Sequence, residues 1–137
     1  MNQNICIEWL KAAELDLESI KYLIVSEYLT PVVAFHAQQT IEKSLKALLE
    51  FKHIRIPKIH KLQTLVDLAQ MPFDETEEDL FIMLDSLYID ARYPGDFGLL
   101  PDGKPTLDDA QAFYNFAEKI FKNISLLIGK EGNDNHE

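Results

Sequence analysis

The apolar positions of this chain recur at helical steps almost from end to end. Between residues 31 and 51, PVVAFHAQQTIEKSLKALLEF, a stripe of Ala34, Gln38, Ile41, Leu45 and Leu48 advances by fours and threes. That spacing keeps one side of a helix against a core. Thr30 is placed as the N-cap and Pro31 as the first helical residue, where a missing backbone N–H costs nothing. Gln38 interrupts the stripe, and the neighbouring row of Phe35, Gln39, Glu42, Lys46 and Leu49 is apolar at its ends and polar between. Amides and charges so close to a buried seam predict a central helix that holds polar groups at a boundary, with the other helices packed around it.

Residues 5–29 predict a first long helix, with Leu10, Ala13, Leu17, Ile20 and Ile24 inward, Trp9 and Tyr22 on the flanks, and Glu8, Glu14, Asp16 and Glu18 outward. After the central helix, Pro57 prevents simple continuation and pushes Ile56 towards an extended conformation. A short helix over Lys61 to Ala69 turns Leu62, Leu65 and Leu68 or Ala69 inward, and Met71-Pro72 ends it. Asp74 with Glu77 makes a capping-box-like start for a fourth helix, which carries Leu80, Leu84, Leu87 and Ala91 inward to about Arg92. Residues 92–105, RYPGDFGLLPDGKP, hold three prolines and three glycines in 14 positions, so no periodicity survives there. Thr106 with Asp109 opens the last helix on the stripe Ala110, Phe113, Ala117, Ile120, Ile124 and Leu127, and Gly129 is expected to close it. No segment alternates as a strand does. The reading is therefore all-α, an up-and-down bundle of four to five helices, with one domain over residues 1–128 and a polar, disordered tail over residues 129–137.

Composition changes this picture little. A chain of 137 residues, 47% hydrophobic and 26% charged, suits one soluble domain with its own core. Its N-terminus has neither a basic leader nor a long apolar run, which predicts no signal peptide or membrane anchor and a cytoplasmic place. The one cysteine, Cys6, forms no internal disulfide and is expected as a small buried hydrophobe. Charge is more informative. The formal net charge is −10, yet residues 43–61 carry six cations against a single acid, Glu50. Wholesale coating of nucleic acid is excluded by the total, while the local basic segment suits a specific anion site.

Candidate chemistry is sparse. Glu50 and His53 make one Glu-x-x-His, whereas a di-iron bundle needs two plus further inward glutamates, so no metal is expected, and no cofactor. Arg55 and His60 are separated by four residues, a spacing found in metal-independent ribonucleases: a histidine handles a proton and an arginine stabilises the charged transition state. His60 also stands where it would cap the short third helix. Glu42 and Lys46, one turn apart, suit an ordinary intrahelical pair, or Lys46 with Lys43 turns towards a phosphate at the mouth of the bundle. Tyr88, Arg92 and Tyr93 fall where the fourth helix meets the long loop. There Arg92 either satisfies helix carbonyls or clamps a phosphate beside two rings.

Four blocks in order carry a resemblance: Trp9-Leu-Lys-Ala-Ala-Glu-Leu-Asp-Leu; Ala34-Phe-His-Ala-Gln-Gln with Glu42-Lys43 and Leu45-Lys46-Ala-Leu-Leu; Ile56-Pro-x-x-His60-x-Leu62; and Tyr88-x-x-Ala91-Arg92-Tyr93-Pro94. Over residues 5 to 128 the chain resembles the HEPN domain family (higher eukaryotes and prokaryotes, nucleotide-binding). The resemblance implies a homodimeric helical bundle that binds a nucleotide or RNA, here through Lys43, Lys46, His60, Arg92 and Tyr93. It also implies a minimal nucleotidyltransferase partner in a toxin–antitoxin-like pair. Some relatives are ribonucleases that use an Arg-polar-x-x-x-His motif near the start of a late helix, in a cleft formed across the dimer. After Arg92, however, this chain reads Tyr-Pro-Gly-Asp-Phe-Gly, with no histidine before His136. That departure favours the binding branch and leaves Arg55, His60 and Arg92 as the candidates for a composite ribonuclease site. A non-catalytic dimerisation module is the third reading.

Overall fold

The computed structural model describes residues 3–91 and 103–134. Among these are five α-helices, α1 (Gln3–Leu23), α2 (Thr30–Phe51), α3 (Leu62–Ala69), α4 (Glu75–Ala91) and α5 (Leu107–Asp134), with one 3-10 turn at Glu27–Leu29 and no strand. The protein is an all-α bundle. Helix α2 is its axis: it packs against every other helix, and 14 of its 22 residues are buried, more than a single amphipathic stripe would bury. Ile41, Leu45, Leu48 and Leu49 share the core with Ile20 of α1, Leu62 and Leu65 of α3, Leu84 of α4 and Phe113 and Ile120 of α5. Cys6 lies in the same core.

Several boundaries differ from those expected. The first helix stops at Leu23 instead of running to residue 29, because Ser26 is extended (φ −106°, ψ 119°) and the chain resumes only as a 3-10 turn. Thr30 is the first residue of α2 and not its N-cap. Its hydroxyl leaves the helix end and donates to the Pro105 carbonyl at 2.6 Å, tying the start of α2 to the residues before α5. Helix α5 passes through Gly129 to Asp134, and Ile128, four residues after Ile124, takes the buried place expected of Leu127. One helical glycine costs about 1 kcal/mol, too little to end a helix already docked along its length.

The other ends follow their local chemistry. Asp74 and Glu77 exchange backbone-to-carboxylate hydrogen bonds at 2.8 and 3.1 Å at the start of α4. Before α5 the Thr106 N–H donates to the Asp109 carboxylate and the Asp109 N–H to the Thr106 hydroxyl, both at 3.0 Å. Helix α2 ends in a Schellman motif, with His53 left-handed (φ 58°), its N–H on the Glu50 carbonyl and the Ile54 N–H on the Leu49 carbonyl. His53 is thus spent on terminating a helix.

Aromatic crowding on α5 is resolved within the chain. Phe113 enters the main core, while Phe116 meets Phe81 at 4.9 Å and Phe73 at 6.3 Å. Tyr114 and Phe121 pack half-buried against the same core.

Candidate functional site

The polar row of α2 converges on one carboxylate. Glu42 is 4% exposed, and its oxygens receive the Lys46 ammonium at 3.0 Å, the Gln38 amide at 3.3 Å and His60 Nδ1 at 3.1 and 3.2 Å. Burying a carboxylate this deeply is tolerated only when a counter-charge and further donors satisfy it. Lys46 supplies the charge and is itself 7% exposed, with its nitrogen 5.5 Å over the Trp9 ring. The ordinary intrahelical pair has formed, and Lys46 stands behind His60, turned away from solvent.

His60 lies in the connection between α2 and α3, yet α2 holds it twice. Gln38 donates to its carbonyl at 2.9 Å, and Glu42 receives its Nδ1–H. Since an ionised carboxylate only accepts, Nδ1 carries the proton, and in the neutral ring Nε2 is left as an acceptor. The side chain is 54% exposed, so the outer edge of the ring meets solvent.

That edge borders an open cleft of about 520 Å³, lined by Ile59, His60, Lys61, Gln63, Ile82, Asp85, Ser86 and Tyr88. Its size suits a small organic ligand or one nucleotide unit. The Tyr88 ring lies 5.8 Å from that of His60 and runs parallel to Phe35 of α2 at 5.7 Å. In the floor, Asp85 of α4 receives the Leu62 N–H at 2.9 and 3.1 Å and so caps α3 from a neighbouring helix. His60 does not cap α3 as expected. Burial raises the Asp85 carboxyl above its ordinary value, against the pull of the Leu62 and Gln63 N–H groups and of Lys61.

A second group sits where α1 crosses α2. Asp16 receives His36 Nδ1 at 2.8 Å and Lys43 Nζ at 2.6 Å. Burial alone would raise the Asp16 carboxyl; the hydrogen bonds from His36 and Lys43 outweigh it and leave the group below its ordinary value. Lys43 thus pairs across to α1, while Lys46 pairs with Glu42 within α2. Asp16, expected on the outer face of α1, is 9% exposed.

Of the candidate residues, the structure joins His60 to Lys46 through Glu42, sets Lys43 apart on Asp16, and leaves Arg55 exposed with no ion-pair partner among the described residues. Arg92 and Tyr93 lie outside the described residues. No group of three or more His, Cys, Asp and Glu side chains suited to a metal occurs among the described residues. Asp16, Phe35, His36 and Asp85 were not singled out from the sequence. The signal for Asp16 was there: it falls three residues after Ala13, on the edge of the buried stripe.

A histidine held by a buried carboxylate thus stands at the rim of an open cleft in an all-α bundle. The family model of the HEPN domain matches residues 7–127, and the chain belongs to that family. A solved structure described as an archaeal HEPN homologue is similar at 27% identity with a TM-score of 0.67, over 90% of this chain and 97% of that one. No curated protein matches. No helix among the described residues is long and apolar enough to cross a membrane.

Proposed function

We propose that this HEPN bundle binds a nucleotide or an RNA phosphate at the His60 end of the cleft, and that it acts as a homodimer with a minimal nucleotidyltransferase partner in a toxin–antitoxin-like pair. The observation that carries the ligand site is the half-exposed His60 ring, oriented by buried Glu42 beside Tyr88. Arg92 and Tyr93, which follow α4 in sequence, supply a guanidinium for the phosphate and a second ring for the base. Lys46 contributes from behind by balancing Glu42, and Lys43 contributes from the Asp16 side. Dimer and partner rest on family membership.

The same histidine favours a second reading, a metal-independent endoribonuclease. His60 Nε2 would take the proton of a ribose 2′-hydroxyl as that oxygen attacks the adjacent phosphorus. The bond to the 5′-oxygen breaks, that oxygen leaves with a proton from water, and a 2′,3′-cyclic phosphate remains, with Arg92 or Arg55 in a composite dimer site stabilising the five-coordinate phosphate. End-labelled mixed-sequence RNA in chelator, with the wild type, His60→Ala and Arg92→Ala, separates the two. Retention without cleavage, weakened in both variants, supports the binding reading. Cleavage lost in His60→Ala establishes the ribonuclease, and unchanged retention in both variants overturns the site.

A further inference from the structure

Around α2 the His60 arrangement occurs a second time. His60 Nδ1 and Lys46 Nζ share the Glu42 carboxylate, and His36 Nδ1 and Lys43 Nζ share that of Asp16. The copies differ in one respect. Lys46 is buried, whereas the Lys43 side chain is 25% exposed and that of His36 24%. The first group therefore offers a ligand only its histidine, and the second offers both an ammonium and an imidazole.

A run of rings connects them. His36 meets the edge of Phe35 at 5.5 Å, Phe35 lies parallel to Tyr88 at 5.7 Å, and Tyr88 reaches His60 at 5.8 Å. Phe35, His36, Gln39 and Lys43 are all half-buried and recur at the spacing that puts them on one side of α2. Gln39 donates one amide hydrogen to Gln38 at 2.7 Å and keeps the second for a phosphate oxygen.

We propose that His36, Lys43 and Gln39 form a second phosphate subsite, so that the ligand is a single-stranded oligonucleotide lying along α2 and not a free mononucleotide. The inference rests on the reading above that His60 takes a phosphate. A mononucleotide has one phosphate, and two aromatic rings intervene between the two histidines. A strand has a phosphate for each end and a base for the rings between, since stacking accepts any base. Asp16 stays ionised because its donors lower its proton affinity, which keeps both groups of the subsite fixed.

Binding of AMP and of a labelled 2′-O-methyl hexa-adenylate, which 2′-hydroxyl attack cannot cut, tests this on the full chain in chelator. The wild type is expected to bind the hexamer more than tenfold tighter than AMP, because linked contacts multiply. His36→Gln/Lys43→Gln should bring the hexamer close to AMP, weakening AMP far less than the hexamer, and reduce the hexamer's salt slope by about 0.7 for the lost lysine. Gln39→Ala, at a partly exposed helical position that favours alanine, should weaken only the hexamer and guards against misfolding of the double variant. Equal affinity of the wild type for both ligands, or equal losses for both in the variants, overturns the second subsite while leaving His60 in place. Failure of both ligands to bind overturns the proposed function and this inference with it.

Discussion

Glu42 and His60, 18 residues apart in the chain, meet at 3.1 Å across the seam between α2 and the connection to α3. The carboxylate is buried and the imidazole half-exposed, so one partner sets the geometry and the other faces the cleft. Removing each should therefore have different effects.

Glu42→Gln leaves the buried Lys46 ammonium without its counter-charge and should destabilise the fold by about 3–5 kcal/mol in denaturant titration. Glu42→Leu/Lys46→Met removes both charges and should recover most of that loss. Ligand binding should remain weak in the double variant, because His60 has lost its anchor. Recovery of binding together with stability would show that Glu42 does not position His60.

Asp16 makes the fold acid-sensitive. Its folded pKa is below the unfolded value, so its stabilising contribution is complete above about pH 4 and is lost as the pH falls through the lower folded value. The stability difference between the wild type and Asp16→Asn, measured by urea unfolding, should be constant from neutrality to about pH 5 and close below about pH 4. A difference independent of pH would refute this.

Asp85 has the opposite sign. Burial raises its folded pKa, so the folded chain holds that proton more tightly, and its contribution improves as the pH falls through the folded value. Asp85→Ala should cost about 1 kcal/mol through the lost cap on α3, and Asp85→Asn, which keeps an acceptor for the Leu62 N–H, should cost less. Equal losses in thermal unfolding would mean that the cap contributes little.

Thr30→Val removes the hydroxyl from the buried Pro105 carbonyl and should cost about 1–3 kcal/mol, with Thr30→Ser close to the wild type. Faster amide exchange at the start of α5 should accompany the loss.

The fold was legible because each helix announces its own face. The stripe Ala34, Gln38, Ile41, Leu45 and Leu48 is buried throughout, and the boxes at Asp74 and Thr106 form as read. Thr30 and His60 misled as caps, since a local rule is blind to a competitor 75 residues away, such as Pro105, or 25 away, such as Asp85. The site was half legible. Lys43, Lys46 and His60 stood out as cations, but which carboxylate each would meet depends on how α1 crosses α2, and periodicity carries no information about crossing. Asp16 failed for a related reason: at the margin of a stripe, one neighbour decides between solvent and core.

Seams made only of leucine, isoleucine and alanine let neighbouring helices slip by one turn, because one apolar contact replaces another. Helix α2 lacks that freedom. A slip would draw Glu42 away from His60 and Gln38 from the carbonyl it binds, stranding amide and carboxylate in a dry interior. The ion pair inside the bundle thus works as a key that admits a single alignment, and the rim of the cleft inherits its precision from a mismatch the core refuses to bury.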